Sequence, residues 1–224
     1  MVYFQKDFID FFKELAANNN KDWFDTNRKR YENIVREPFK LFIGKVIDEI
    51  NKDDSAINLD VKDAIFRINR DIRFSKDKTP YKLHVGAIIS PQGRKDKSDP
   101  GIYIELNPEH LGIFGGAWTP DKVQLDKIRK HISSNQAEFK SLISNKVFLK
   151  HFPEGIKGEK NKRLPKELVE SSKEQELIFN KQFYYQAFID PREIIGEDLL
   201  KIILNHYFVS KPINDFLKTA INNN

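Results

Sequence analysis

Three arginines recur at a spacing of three in the segment Arg67-Ile-Asn-Arg70-Asp71-Ile-Arg73. Lys76, Lys78 and Lys82 follow, with Asp71 and Asp77 interspersed, so residues 67–82 carry a local charge of +4, close to the +5 of the whole chain. A guanidinium is a planar fork that matches a carboxylate or a phosphate in two parallel hydrogen bonds. Thr79-Pro80 restricts the backbone on the far side of the segment, which limits how far such a loop can wander. The reading is an anion-binding site made of Arg67, Arg70, Arg73, Lys78 and Tyr81, with at least two of the arginines converging in one pocket. A competing reading pairs Arg70 with Asp71 and Arg73 with Asp77, because ion-pair networks imitate active sites.

Two further groups bear on the same chemistry. Alternation places Arg67, His84, Tyr103 and Glu105 on the less apolar faces of their expected strands. A sheet with one polar face under a loop of arginines forms a pocket, in which Glu105 or His84 serves as proton acceptor. The competing reading is a solvated face, since a register error of one residue would exchange the two sides. Gly112-Ile-Phe-Gly115-Gly116-Ala-Trp118-Thr119-Pro120 sets glycines before an expected helix start, where an anion can approach free amides. An ordinary glycine-rich hairpin exit explains it equally. His84, Tyr103, Glu105 and Trp118 are the candidate pocket wall.

The elements that must position these residues follow from hydrophobic period. Phe8, Phe11, Phe12 and Leu15 predict a helix over 5–17, ended by Asn18-Asn19-Asn20. A second helix is expected from Asp22 to Arg36, with Trp23, Asn27, Tyr31 and Ile34 inward. Pro38 should kink it or begin a third helix carrying Leu41, Phe42, Val46, Ile47 and Ile50. The period then changes to two, which predicts strands over 64–69, 82–90, 101–107 and 110–115. Their short connections favour antiparallel pairing, with Pro108-Glu109 as a turn. Thr119 is expected to cap a helix running to about Ser133, followed by a helix over 135–145 and a surface loop over 153–166. A helix over 174–180, a strand over 183–190 and two terminal helices over 197–207 and 211–221 complete the reading. The fold class expected is α+β: one domain spanning 1–224, with a mostly antiparallel central sheet and N-terminal and C-terminal helices packed on it.

Composition narrows the function classes. Of 224 residues, 39% are hydrophobic and 32% charged, with both signs mixed, which fits a folded chain and not a disordered one. A pI near 9.1 is compatible with nucleic acid or acidic metabolites and selects neither. The chain has no cysteine, which excludes disulfides, thiolate metal sites and cysteine nucleophiles. No apolar run approaches the length of a membrane span and the first residues lack a signal-peptide core, so a cytoplasmic protein with no membrane partner is expected. The five histidines show no ligand spacing, so no metal site is expected, and no cofactor motif appears.

The string Arg67-x-x-Arg70-Asp71-x-Arg73-Phe74-x-x-x-Asp77-Lys78-x-x-Tyr81 resembles the signature of an uncharacterised bacterial family, domain of unknown function 2461. The resemblance extends to Asn19-x-x-x-Trp23-Phe24, Pro100-x-x-Tyr103 and Gly115-Gly116 before Thr119-Pro120. It implies one domain of this length and bacterial origin, and it brings no activity, cofactor or catalytic residue. Three functions therefore remain open at this stage. One is binding of, and action on, a small phosphorylated or carboxylated molecule. The others are nucleic-acid phosphate binding and a structural role with ion-paired arginines.

Overall fold

A computed structural model describes residues 1–223. The apolar stripe of 5–17 forms helix α1 (Lys6–Ala17), with Phe8, Phe11, Phe12 and Leu15 all buried. Asn20 then caps α2 (Lys21–Thr26), its side chain accepting from the Trp23 N–H at 2.9 Å. The expected single helix over 22–36 is instead broken at Asn27 into α2 and α3 (Arg28–Tyr31). Phe24, Tyr31 and Val35 are its buried residues, while Trp23, Asn27 and Ile34 are only half-buried. Glu32–Arg36 is a π turn leading into α4 (Glu37–Asn51). Proline has no N–H to donate, and the helix meets Pro38 with its register widened, the Glu37 N–H bonding the Glu32 carbonyl five residues back.

After a short α5 (Val61–Ala64) come β1 (Val85–Ile89), β2 (Gly101–Leu106) and β3 (Leu111–Ala117); β4 (Phe183–Ile189) follows later. All neighbours in the β1-β2-β3-β4 order are antiparallel. The β2–β3 turn is held by Asn107, whose side-chain oxygen accepts from the N–H groups of Glu109 and His110 at 2.7 and 2.9 Å. Residues 64–69 are not the strand that the sequence predicts. They touch the sheet through one bridge, Ile65 to Ala87, with the Phe66 N–H on the Gly86 carbonyl at 2.9 Å. An irregular segment there leaves the β1 edge short, a common protection against edge-to-edge association.

Between β3 and β4 lie α6 (Lys122–Ser134), α7 (Gln136–Ile143), α8 (Lys146–His151) and α9 (Val169–Glu174). Asp121, not Thr119, caps α6, because its carboxylate accepts from Val123 and Gln124 while Gln124 reaches back to the Asp121 N–H. This reciprocal arrangement satisfies more free donors than a threonine two residues upstream can reach. The expected helix over 174–180 is α9 followed by a 3-10 turn, Glu176–Phe179. The two expected terminal helices are one, α10 (Leu199–Asn222), with Pro212 inside it. Burial of Tyr207, Ile213, Phe216 and Leu217 along a single face outweighs the one backbone bond that proline forfeits.

The α+β class is as expected. One sheet face is apolar and covered: Ala87, Ile89, Ile104 and Ile113 are fully buried, and α10 packs along β2 and β3 and touches α4, α6, α7 and α8. Buried residues from α1 to α10 form one contiguous cluster. The opposite face carries Ile88, Tyr103, Phe114, Tyr184 and Gln186, none of them fully buried. Among the described residues, no helix is long and apolar enough to cross a membrane.

Candidate functional site on the open face of the sheet

The arginine segment is a protruding loop on a two-rung stem. The Arg70 N–H bonds the Pro80 carbonyl and the Lys82 N–H bonds the Ile68 carbonyl, both at 2.9 Å. Arg70 reaches across the loop to Asp77 at 2.5 Å and to the carbonyl and hydroxyl of Thr79. Arg73 forks onto Asp71 at 2.9 and 2.7 Å, and the Lys78 ammonium caps the Ile72 carbonyl at 2.9 Å. The pairs are thus Arg70–Asp77 and Arg73–Asp71, the reverse of the partners that sequence proximity suggests. The Thr79 N–H, then Arg70, hold the Asp77 carboxyl down to about 2, and Arg73 holds Asp71 below the usual carboxylate range. At the tip, Phe74 is 95% exposed.

The expected convergence of at least two of Arg67, Arg70 and Arg73 in one pocket with Lys78 or Tyr81 is not found in either of the two hollows described below. Tyr81 is buried, its ring stacked on Phe24 with centroids 4.0 Å apart, and both its backbone polar groups are bonded to the Asn19 amide. Arg67 and Tyr81 border a broad groove of about 960 Å³ between the N-terminal helices and residues 65–69, which Arg28 and Arg94 also line. Neither Arg70 nor Arg73 lines that groove or the cavity described next. Each guanidinium satisfies itself on an aspartate within the loop, where it costs no reach and little entropy.

A cavity of about 410 Å³ lies on the open face of the sheet. Its floor is Tyr103 and Phe114, which face each other across β2 and β3. Trp118 and Tyr184 form one end, edge to face at 4.7 Å. Phe66, delivered by the irregular segment at the β1 edge, closes the side and stands edge-on to Tyr103 at 5.9 Å. Two glycines permit this geometry. A methyl group at Gly86 would collide with the Tyr103 hydroxyl, which lies across β1 at that point. Gly116 has φ +91°, a conformation that disfavours side chains, and turns the end of β3 toward Trp118.

Charges of both signs border the cavity. The ammoniums of Lys82 and Lys97 both lie over the Phe66 ring, 5.4 and 5.5 Å from its centroid. Among the described residues neither forms an ion pair. Burial depresses the Lys82 pKa, and Lys97 and Arg67 depress it further by repulsion, against a smaller opposing pull from Glu105. Glu105 supplies the opposite charge. Its carboxylate accepts from the Asn107 amide at 3.0 Å and the Tyr103 hydroxyl at 3.3 Å, with the ring nitrogens of His110 and His84 at 3.3 and 3.6 Å. Burial lowers the His84 pKa against the opposing pull of Glu105, so the imidazole is neutral near pH 7, while burial and Glu105 raise that of Tyr103 and keep it a proton donor. No group of three ligand-type side chains among the described residues has a geometry that holds a metal ion.

Of the residues that sequence singled out as pocket wall, Tyr103, Glu105 and Trp118 line the cavity and His84 contacts it through Glu105. Sequence reasoning missed Phe66, Lys97, Phe114, Tyr184 and Gln186. Alternation in β4, with Phe183 and Tyr185 inward, would have exposed Tyr184 and Gln186 as the other face. Phe66 and Lys97 come from irregular segments, for which no periodic signal exists.

No curated protein and no solved structure matches the chain. The model of a family described as "Conserved hypothetical protein (DUF2461)" matches residues 7–216. That match takes in the loop, the cavity and all four strands, and the chain belongs to the domain of unknown function 2461 family.

Proposed function

We propose that the protein binds a small phosphorylated or carboxylated molecule in the cavity on the open sheet face, with Lys82 and Lys97 as the anion anchors. The observation that carries this reading is the pair of ammoniums over one ring, Phe66, with no carboxylate partner for either among the described residues. Burial of Lys82 and repulsion from the exposed Lys97 both disfavour the Lys82 charge, a cost that a bound anion relieves. The volume falls within the roughly 300–1,000 Å³ of small-molecule pockets. On this reading the arginine loop is a frame, since its own aspartates and carbonyls satisfy Arg70, Arg73 and Lys78.

The test is thermal stabilisation by phenyl phosphate and by benzoate against chloride at matched ionic strength. A ligand at ten times its Kd stabilises by about 1.4 kcal/mol. Lys82→Ala and Lys97→Ala should each abolish most of the shift, and Arg73→Ala should leave it intact. A shift that survives both lysine variants, or no shift at all, refutes the reading.

A further inference from the structure

Resting on that anion-binding reading, we infer that the ligand is a nucleoside monophosphate whose base carries an amino group, its phosphate on Lys82 and Lys97 and its amino edge on Glu105. A bare anion explains only one side of the cavity. Glu105 lines the same space, and a carboxylate that only accepts hydrogen bonds repels a second anion and calls for N–H donors. Two hydrogen bonds, from Asn107 and Tyr103, take part of its acceptor capacity, and a ligand N–H shares the remainder with the ring nitrogens of His110 and His84 at 3.3 and 3.6 Å. Beside the charged groups the surfaces are aromatic: Phe114 on the floor, with Trp118 and Tyr184 at one end. Trp118 is 52% exposed, so a large flat face stands open at the rim. Stacking on such faces tolerates any base, and a carboxylate accepting from the N4 amino group of cytosine distinguishes it from uracil, which offers a carbonyl there. The chemistry is shared by a free nucleotide and by a nucleotide within a single strand.

Isothermal titration of the intact protein with cytidine 5′-monophosphate, uridine 5′-monophosphate, ribose 5-phosphate and cytidine separates the possibilities. The cytidine nucleotide should bind about ten-fold or more tightly than ribose 5-phosphate, from stacking, and about ten-fold more tightly than the uridine nucleotide, from Glu105. Glu105→Gln should erase the preference over uridine and, by removing a nearby negative charge, leave ribose 5-phosphate binding undiminished. Trp118→Ala, at a half-exposed position that the fold does not depend on, should weaken both nucleotides and not ribose 5-phosphate. Equal affinities for both nucleotides and ribose 5-phosphate would overturn this inference and leave the anion-binding reading standing. Cytidine binding that depends on Trp118 and Glu105, with Lys82→Ala and Lys97→Ala without effect on the nucleotide, would refute the anion reading and keep the base site. No binding of any probe overturns both. An octamer of deoxycytidylate gives the source: much tighter binding than the mononucleotide, with a steep salt dependence, identifies a single strand, and binding no tighter identifies the free nucleotide.

Discussion

Asn214, on α10, ties the helix to the end of the sheet from which the cavity is built. Its side-chain oxygen accepts from the Gly116 N–H at 3.2 Å and from the Tyr185 hydroxyl at 2.9 Å, and its amide nitrogen donates to the Gly101 carbonyl at 3.2 Å. Gly101 and Gly116 face each other across β2 and β3 and both line the cavity. Asn214 is 2% exposed and Tyr185 is fully buried, so Asn214→Ala strands three groups away from water. Each orphaned buried donor or acceptor costs about 1–3 kcal/mol, which brackets the loss at roughly 3–9 kcal/mol. The Tyr185 hydroxyl keeps Ser210 as a neighbour, and the Gly101 carbonyl keeps its second lone pair for the backbone. Those compensations place the expected loss at about 3–5 kcal/mol. In a chain of this size that is a fall in Tm of about 6–20 °C. Urea unfolding followed by circular dichroism measures it, with Phe74→Ala, at the exposed loop tip, expected within about 0.5 kcal/mol of the parent. A loss below about 1 kcal/mol in Asn214→Ala, with an unchanged m-value, would refute the bridging role.

Phe24→Ala should cost about 3–5 kcal/mol in the same assay, because it removes the ring stacked on Tyr81 and leaves a void under the stem of the loop. Asp121→Ala should cost about 1 kcal/mol through loss of the α6 capping box, while Thr119→Ala should cost little, a contrast that distinguishes the observed cap from the one the sequence suggests. Anion affinity should fall as pH rises through the Lys82 pKa, which lies below the usual lysine value. Below that point the ammonium is fully charged. A bound anion raises the pKa, so binding takes up a proton in the window just above it, and isothermal titration in two buffers of different ionisation enthalpy, with pH stepped upward from neutrality toward the ordinary lysine value of 10.5, should detect the uptake. Affinity that does not change with pH across the depressed Lys82 pKa would remove Lys82 from the site.

Much of the fold was legible along the chain. Helix α1, the three strands β1 to β3, and β4 announce themselves through spacing, because a packed face must recur every 3.6 residues on a helix and every two on a strand. Tyr103 and Glu105 could be placed on a polar face for the same reason, and both line the cavity. The arginines were conspicuous but ambiguous: a guanidinium beside aspartates reads alike whether it awaits a ligand or closes a loop, and only three-dimensional reach shows Arg70 closing on Asp77 and Arg73 on Asp71. Tertiary structure alone decided that Pro212 lies within α10, since burial along one helix face outweighs a missing backbone bond and local propensity cannot see the partner surface. It also decided the cavity's cationic side. Phe66, Lys82 and Lys97 come from three separate stretches of chain, none of them in a regular element, and they meet because the segment before β1 crosses the sheet edge at Gly86 and brings the Phe66 ring within reach of both ammoniums.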